Sequence, residues 1–282
     1  MALLRLPNEL LLFVAKMLES QSNMNSFAKI NSRLYNNLNR YLYKYNVKHH
    51  ASSALSWAAT RGQEATARRS LAEGANVQCR SENNWTPLSL AAWNGHEAVV
   101  KLLLATEGVD PDSKSSRGET PLSLAAWRGH AMVVKLLLST EGVDSISKNF
   151  FGETPLSLAA GNGQEAVVTL LLAIDVDPDP KNSKGETPLS WAAGNGHDTV
   201  VKLLLAADGV DPDAKDYDGR TPLSLAAGKG HEIVTKLLLA MEGVDPESKD
   251  LSGETPLSWA LEYEHMGVIE TLLRQSESKN SD

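Results

Sequence analysis

Residues 86–119 read TPLSLAAWNGHEAVVKLLLATEGVDPDSKSSRGE, and the fold follows from what this stretch encodes and how often it recurs. Thr86 suits the position just before a helix, where its hydroxyl accepts from a first-turn amide. Pro87 suits the first helical position, where no N–H is needed. Leu88 to Ala92 make a short helix whose alanines permit close approach of a neighbour. Gly95 ends it, with the positive φ that glycine adopts at little cost. A second helix runs from His96 to Ala105, with Val99, Val100, Leu102, Leu103 and Leu104 nearly encircling it. A helix that apolar must be covered on more than one side. Gly108 closes it, and the segment from Val109 to Gly118 reads as an extended, hairpin-like loop to the next copy.

The tripeptide Thr-Pro-Leu begins at 86, 120, 154, 187, 221 and 255, at spacings of 34, 34, 33, 34 and 34. An earlier copy without Thr-Pro begins near Ser53, which makes seven units. One unit cannot bury its own apolar surface, whereas a stack of them can. The end units read as caps: the first lacks Thr-Pro, and the seventh has Glu264 where the others have the turn glycine. Unit four reads Ile174-Asp175-Val176 without the closing glycine, which predicts a local irregularity.

The pattern T-P-L-S-[LW]-A-A-x-x-G-[HQ], followed by V-V-x-L-L-L and E-G-V-D, resembles the ankyrin repeat over about residues 52–275. The resemblance implies an all-α ankyrin-repeat solenoid of helix-turn-helix units joined by hairpin-like loops. Repeats occupy 51–275, residues 276–282 form a disordered tail, and residues 1–50 form a separate small domain. The family usually has His after Thr-Pro-Leu, bonding between repeats. Here Ser stands at 89, 123, 157, 190, 224 and 258, so that bonding scheme is not expected.

Residues 1–50 carry seven Lys/Arg against two acids, +5, and the rest holds 20 bases against 33 acids, −13. So acidic a repeat region repels phosphate backbones, which argues against nucleic acid. No run approaches 18 apolar residues, so no membrane span is expected. Pro7 and Glu9 interrupt the apolar start, and no cleavage site follows it. Cys79 is the single cysteine, which fits a reducing compartment, cytosol or nucleus.

His96, His130, His197 and His231 recur once per repeat, but equivalent side chains of adjacent repeats stand about 10 Å apart. Zinc ligands must converge to about 2 Å from one ion. The Asp-Pro-Asp motifs at 110–112, 177–179 and 211–213 lack the ligand series of a calcium loop. Neither a nucleophile elbow nor a phosphate-cradling glycine loop is present. No catalytic residue, metal or cofactor is expected, and the partners are proteins.

In ankyrin stacks, partners contact the concave face: the hairpin tips, the residue before Thr-Pro and the two residues after Ala-Ala. Trp85, Trp93 and Trp127 fall at such places with Arg128, while Trp57, Trp191 and Trp259 fill a slot that other units give to Leu. The tips read Ser115-Ser116-Arg117, Asn149-Phe150-Phe151, Asn182-Ser183-Lys184 and Asp216-Tyr217-Asp218. Trp85, Trp93, Trp127, Phe150 and Phe151 are expected to form an aromatic patch for a partner, with Tyr217 beyond it. The alternative is that these rings cover neighbouring repeats.

In residues 1–50 the period changes. Pro7 opens a helix through Leu10, Leu11, Val14, Met17 and Leu18, a short helix holds Phe27 and Ile30, and a third carries Leu34, Leu38 and Leu42. The string L-x-x-L-P-N-E-L-L-L-x-V-A-x-x-L, then S-F-A-K-I-N-S-R-L-Y, resembles an F-box, in particular the F-boxes placed before ankyrin repeats in filamentous fungi. That resemblance implies a substrate receptor of an SCF-type cullin–RING ubiquitin ligase. Leu6, Pro7, Glu9, Leu10, Leu11, Val14 and Leu18 would bind the ligase adaptor, and the repeats of a monomeric chain would hold the substrate. The alternative is a non-ligase ankyrin scaffold with residues 1–50 as a helical cap.

Overall fold

The computed structural model describes residues 53–174 and 176–279. The adaptor-facing residues Leu6, Pro7, Glu9, Leu10, Leu11, Val14 and Leu18 lie outside the described residues, as does Asp175 of the fourth unit. The chain divides into two compact units, Met1–Asp110 and Pro111–Asp282. That division falls in the loop of the second repeat, whereas composition changes near residue 50.

In unit 1 the described elements are two helix pairs: α1 (Ser53–Arg61) with α2 (Glu64–Ala72), and α3 (Pro87–Trp93) with α4 (Glu97–Leu104). Unit 2 opens with α5 (Pro121–Arg128), α6 (Ala131–Leu138), α7 (Pro155–Gly161) and α8 (Glu165–Leu172). It continues with α9 (Pro188–Gly194), α10 (Asp198–Leu205), α11 (Pro222–Gly228) and α12 (Glu232–Leu239), and ends with α13 (Pro256–Glu262) and α14 (Met266–Lys279). No strand occurs among the described residues.

Each first helix starts as its sequence dictates. Thr120, in extended backbone (φ −93°), accepts from the Ser123 amide at 3.2 Å, and Ser123 Oγ accepts from the Thr120 amide at 2.9 Å. The same reciprocal pair forms at Thr154/Ser157, Thr187/Ser190 and Thr255/Ser258. Two orphan amides are satisfied at each of these four helix starts. The serine that replaces the family's histidine therefore bonds inside its own repeat.

Packing follows from the small and branched residues. In unit 2 the odd-numbered helices α5 to α13 lie side by side, and the even-numbered α6 to α14 form a second row. The alanine pairs Ala125/Ala126, Ala159/Ala160, Ala192/Ala193 and Ala226/Ala227 are wholly buried between first helices. Val167, Val168 and Leu171 of α8, with their equivalents in α6 and α10, fill the space between the rows. Unit 1 repeats the scheme, α1 on α3 and α2 on α4, around Leu55, Ala58, Ala59, Val99, Val100 and Leu103.

Bonds between repeats come from the residue at the start of each second helix. The carbonyls of Gly161, Gly194 and Gly228 accept from Nε2 of His197 (3.1 Å), His231 (3.2 Å) and His265 (3.3 Å). In unit 1 Thr60 O accepts from His96 at 3.0 Å. A carbonyl can only accept, so these rings carry the proton on Nε2. Gln164 does the same work toward Trp127 O. Gly196 shows why glycine precedes these turns: its φ is +73°, and an added Cβ would lie 2.5 Å from His231 Nδ1.

The seventh repeat departs from the expected cap. Glu264 adopts the left-handed conformation (φ 57°) that glycine adopts elsewhere. Its surface is not polar throughout, because Leu261, Tyr263, Met266 and Leu273 are exposed. Helical backbone also continues to Lys279, into the segment read from composition as a disordered tail.

Candidate partner-binding surface

The loops of unit 2 share one closed design. Asn149 N donates to Glu153 O (3.0 Å) and Gly152 N to Asn149 O (2.9 Å). Asn149 Oδ1 accepts from the amides of Phe151 and Glu153, both at 2.9 Å, and Asn149 Nδ2 donates to Glu153 Oε2 at 2.7 Å. Asn182/Glu186 repeats this arrangement. At 216–220 the polarity is exchanged: Asp216 takes the Asn place, Arg220 takes the Glu place, and Arg220 Nε donates to Asp216 Oδ2 at 2.9 Å.

Consecutive tips are tied to each other. Phe150 N donates to Arg117 O, Ser183 N to Phe151 O, Tyr217 N to Lys184 O and Leu251 N to Asp218 O, at 2.9–3.0 Å. Beside this ladder runs another, in which the ammonium groups of Lys148, Lys181 and Lys215 donate to the carbonyls of Lys181, Lys215 and Lys249. The tips thus have a fixed backbone, and the side chains they carry point outward. Phe150 is 72 % exposed, Tyr217 67 % and Leu251 81 %, with Phe151 beside them at 52 %. The Phe150 and Tyr217 rings lie over Gly118 and Gly185, where an added Cβ would stand 2.8 and 2.6 Å from them.

Phe150, Phe151 and Tyr217 therefore stand where the sequence places them. Leu251 was missed, although its register names it: counted back from Thr-Pro, it holds the place of Phe150 and Tyr217.

The tryptophans sort differently. In unit 1, Trp85 and Trp93 are half-buried and form a tilted pair, centroids 5.4 Å apart and planes at 56°. In unit 2, Trp127 is half-buried and donates from Nε1 to Asn162 Oδ1 at 3.1 Å, while Arg128 beside it is exposed. Of the expected aromatic patch, the structure pairs Trp85 with Trp93 in one unit and sets Phe150 beside Phe151 in the other. Trp191 lies against Gly161, leaving no room for a Cβ there, and donates to Glu186 at 2.8 Å. Trp259 is likewise half-buried and donates to Asp250, whereas Trp57, in the same slot that other units give to Leu, is 54 % exposed.

The segments that lead into the tips are acidic. Asp144, Asp177, Asp211 and Asp245 form an exposed series, each accepting the amide two residues on through a single oxygen. Asp179 and Asp213 each bury one oxygen without a hydrogen-bond partner, and burial raises the pKa of both carboxyls. Among the described residues, no three His, Cys, Asp or Glu side chains gather where a metal ion could sit. None of the described helices is long and apolar enough to cross a membrane.

A family model described as "Ankyrin repeats (3 copies)" matches the chain at residues 27–115, 55–149, 101–179, 122–216 and 207–282. Among solved structures, the chain is similar to the human ASB11 ankyrin repeat domain, at 27% identity and a TM-score of 0.69. That match covers 78% of this chain and 96% of the other. It is also similar to the ankyrin repeat domain of Bcl-3, a member of the IkappaB protein family, at 28% identity and a TM-score of 0.64, covering 78% and 97%. No curated protein matches the chain.

Proposed function

Because the chain belongs to the ankyrin-repeat family, we propose that it is a protein-binding adaptor, the substrate receptor of an SCF-type cullin–RING ubiquitin ligase. Residues 1–50 hold the ligase adaptor, and the repeats hold the protein to be modified. The observation that carries the binding role is the set of exposed apolar side chains, Phe150, Phe151, Tyr217 and Leu251, on loops with a closed backbone. Large apolar side chains on a loop whose backbone is already fixed add no loop-ordering cost when a partner covers them. Support for the ligase role comes from the F-box resemblance carried by Leu6, Pro7, Glu9 and Leu10, and from the +5 charge of that segment, which suits a small acidic adaptor. Such a receptor needs no catalytic group of its own.

Co-purification of the full chain with the ligase adaptor tests this reading, comparing wild type with a Leu6→Ala, Pro7→Ala double variant. Capture by wild type alone supports it. A folded wild-type chain that captures nothing overturns the ligase role and leaves an ankyrin scaffold.

A further inference from the structure

We propose that the tip row of unit 2 binds a basic polyproline-II segment of the partner protein, one that carries an apolar side chain at every third residue. This inference rests on the reading of the repeats as a protein-binding surface. It follows from backbone saturation, spacing and charge.

An exposed sheet edge recruits an extended peptide through its unpaired N–H and C=O groups. The tips offer no such amides. Every amide from 149 to 153 is engaged within its loop or with the preceding tip, and the same holds for 182–186, 216–220 and 250–254. A guest must therefore be held by side chains while its own backbone stays satisfied elsewhere. Polyproline II meets that condition, since it has no internal hydrogen bonds and keeps its backbone in water.

The spacing points the same way. Successive tips belong to helix pairs packed side by side, so they follow one another at the roughly 8–10 Å of packed helices. A polyproline-II turn has three residues and rises about 9.3 Å, so every third side chain returns to one face at that interval. In a β-strand, residues three apart are about 10 Å apart but point to opposite faces. After Ser116 at the first tip, the row reads Phe150, Ser183, Tyr217, Leu251, so over these four tips the guest is apolar at its first, third and fourth contact positions and indifferent at its second.

The loops set the sign of the guest's charge. Residues 207–220 hold five acids and two bases, and residues 241–254 hold five acids and one base. Exposed Asp211 and Asp245 each accept one loop amide through a single oxygen, leaving the other to a cation. Basic side chains between the apolar ones complement this field.

The test is fluorescence anisotropy with the full chain and a labelled peptide of four Leu-Arg-Pro triplets. Two controls accompany it: the same peptide with Glu for Arg, and a composition-matched peptide with leucines at every second position. We expect the first to bind and the controls to bind at least about tenfold more weakly, as loss of one apolar anchor implies. A Tyr217→Ser, Leu251→Ser chain, its fold checked by circular dichroism, loses about tenfold or more, and Ser183→Leu tightens binding about tenfold. Absence of binding, equal binding of either control, or a double variant that binds like wild type overturns the inference. If that happens while capture through Leu6 and Pro7 persists, the ligase reading stands and this inference alone falls.

Discussion

The loop at residues 81–85 of unit 1 and the loops of unit 2 share a backbone and differ in what they do with apolar surface. Ser81 N donates to Trp85 O and Asn84 N to Ser81 O, the same two bonds that close residues 149–153. Asn84 even adopts the left-handed φ (61°) that glycine supplies at Gly152 (74°). In unit 1, however, the residue before Thr-Pro is Trp85, half-buried against Trp93. In unit 2 that place holds Glu or Arg, which at Glu153, Glu186 and Arg220 is consumed in closing the loop, and large apolar residues stand instead at the tips, as Phe150, Tyr217 and Leu251. One turn geometry thus serves two ends, because two side-chain positions decide whether an aromatic packs or faces water.

The comparison presupposes a rigid stack beneath the loops, and the largest expected effect tests that. Leu171→Ala, at a fully buried position, should cost about 2–5 kcal/mol in urea denaturation. A loss below 1 kcal/mol, well under that range, would mean the rows of unit 2 are loosely packed. Next comes the contrast itself. Trp93→Ala should cost about 1–3 kcal/mol through lost burial and pairing, while Phe150→Ala and Tyr217→Ala should stay within about 0.5 kcal/mol. Equal losses at both places would erase the distinction between packed and presented rings.

Acid acts on unit 2 through its histidine row. Burial is the main cause holding His231 below its ordinary value, with repulsion from His197, His265 and Lys229 adding to it. The Gly194 carbonyl pulls the other way. A histidine whose folded pKa is lowered stabilises the fold above its unfolded pKa of about 6.5, and that contribution is lost as pH falls through that value toward the folded one. Thermal melts of the full chain should therefore weaken between pH 7 and 5, and His231→Gln, copying Gln164, should flatten the profile. Asp179 and Asp213, with raised pKa values, act in the opposite direction at lower pH. The smallest effect is spectral: Trp85→Glu converts the unit 1 loop to the unit 2 kind, with Ser81 in the place of Ser115, which donates to Glu119 at 2.9 Å. Trp93 emission should shift to the red with little change in stability; an unshifted spectrum would show that Trp93 is covered without its partner.

Much of this was legible in the residues. Thr-Pro at a helix start, glycine at a left-handed turn and a Val-Val-x-Leu-Leu-Leu helix each impose local geometry through sterics and hydrogen bonding. Repetition at 33–34 residues then demands a stack, because no single unit can cover itself. The exposure of Phe150, Phe151 and Tyr217 follows from their place on loop tips, and the same register, four residues before Thr-Pro, places Leu251 beside them.

The unit, its number and its need for neighbours can be read from the residues alone, since these depend on groups close together along the chain. Tertiary structure alone decided which groups meet across repeats. It set His197 and His231 on the carbonyls of Gly161 and Gly194, laid Trp191 against Gly161, and aimed the ammonium of Lys148 at the carbonyl of Lys181. These pairings join residues 30–37 positions apart, and which atoms come within hydrogen-bond reach depends on how each pair of helices seats on the next.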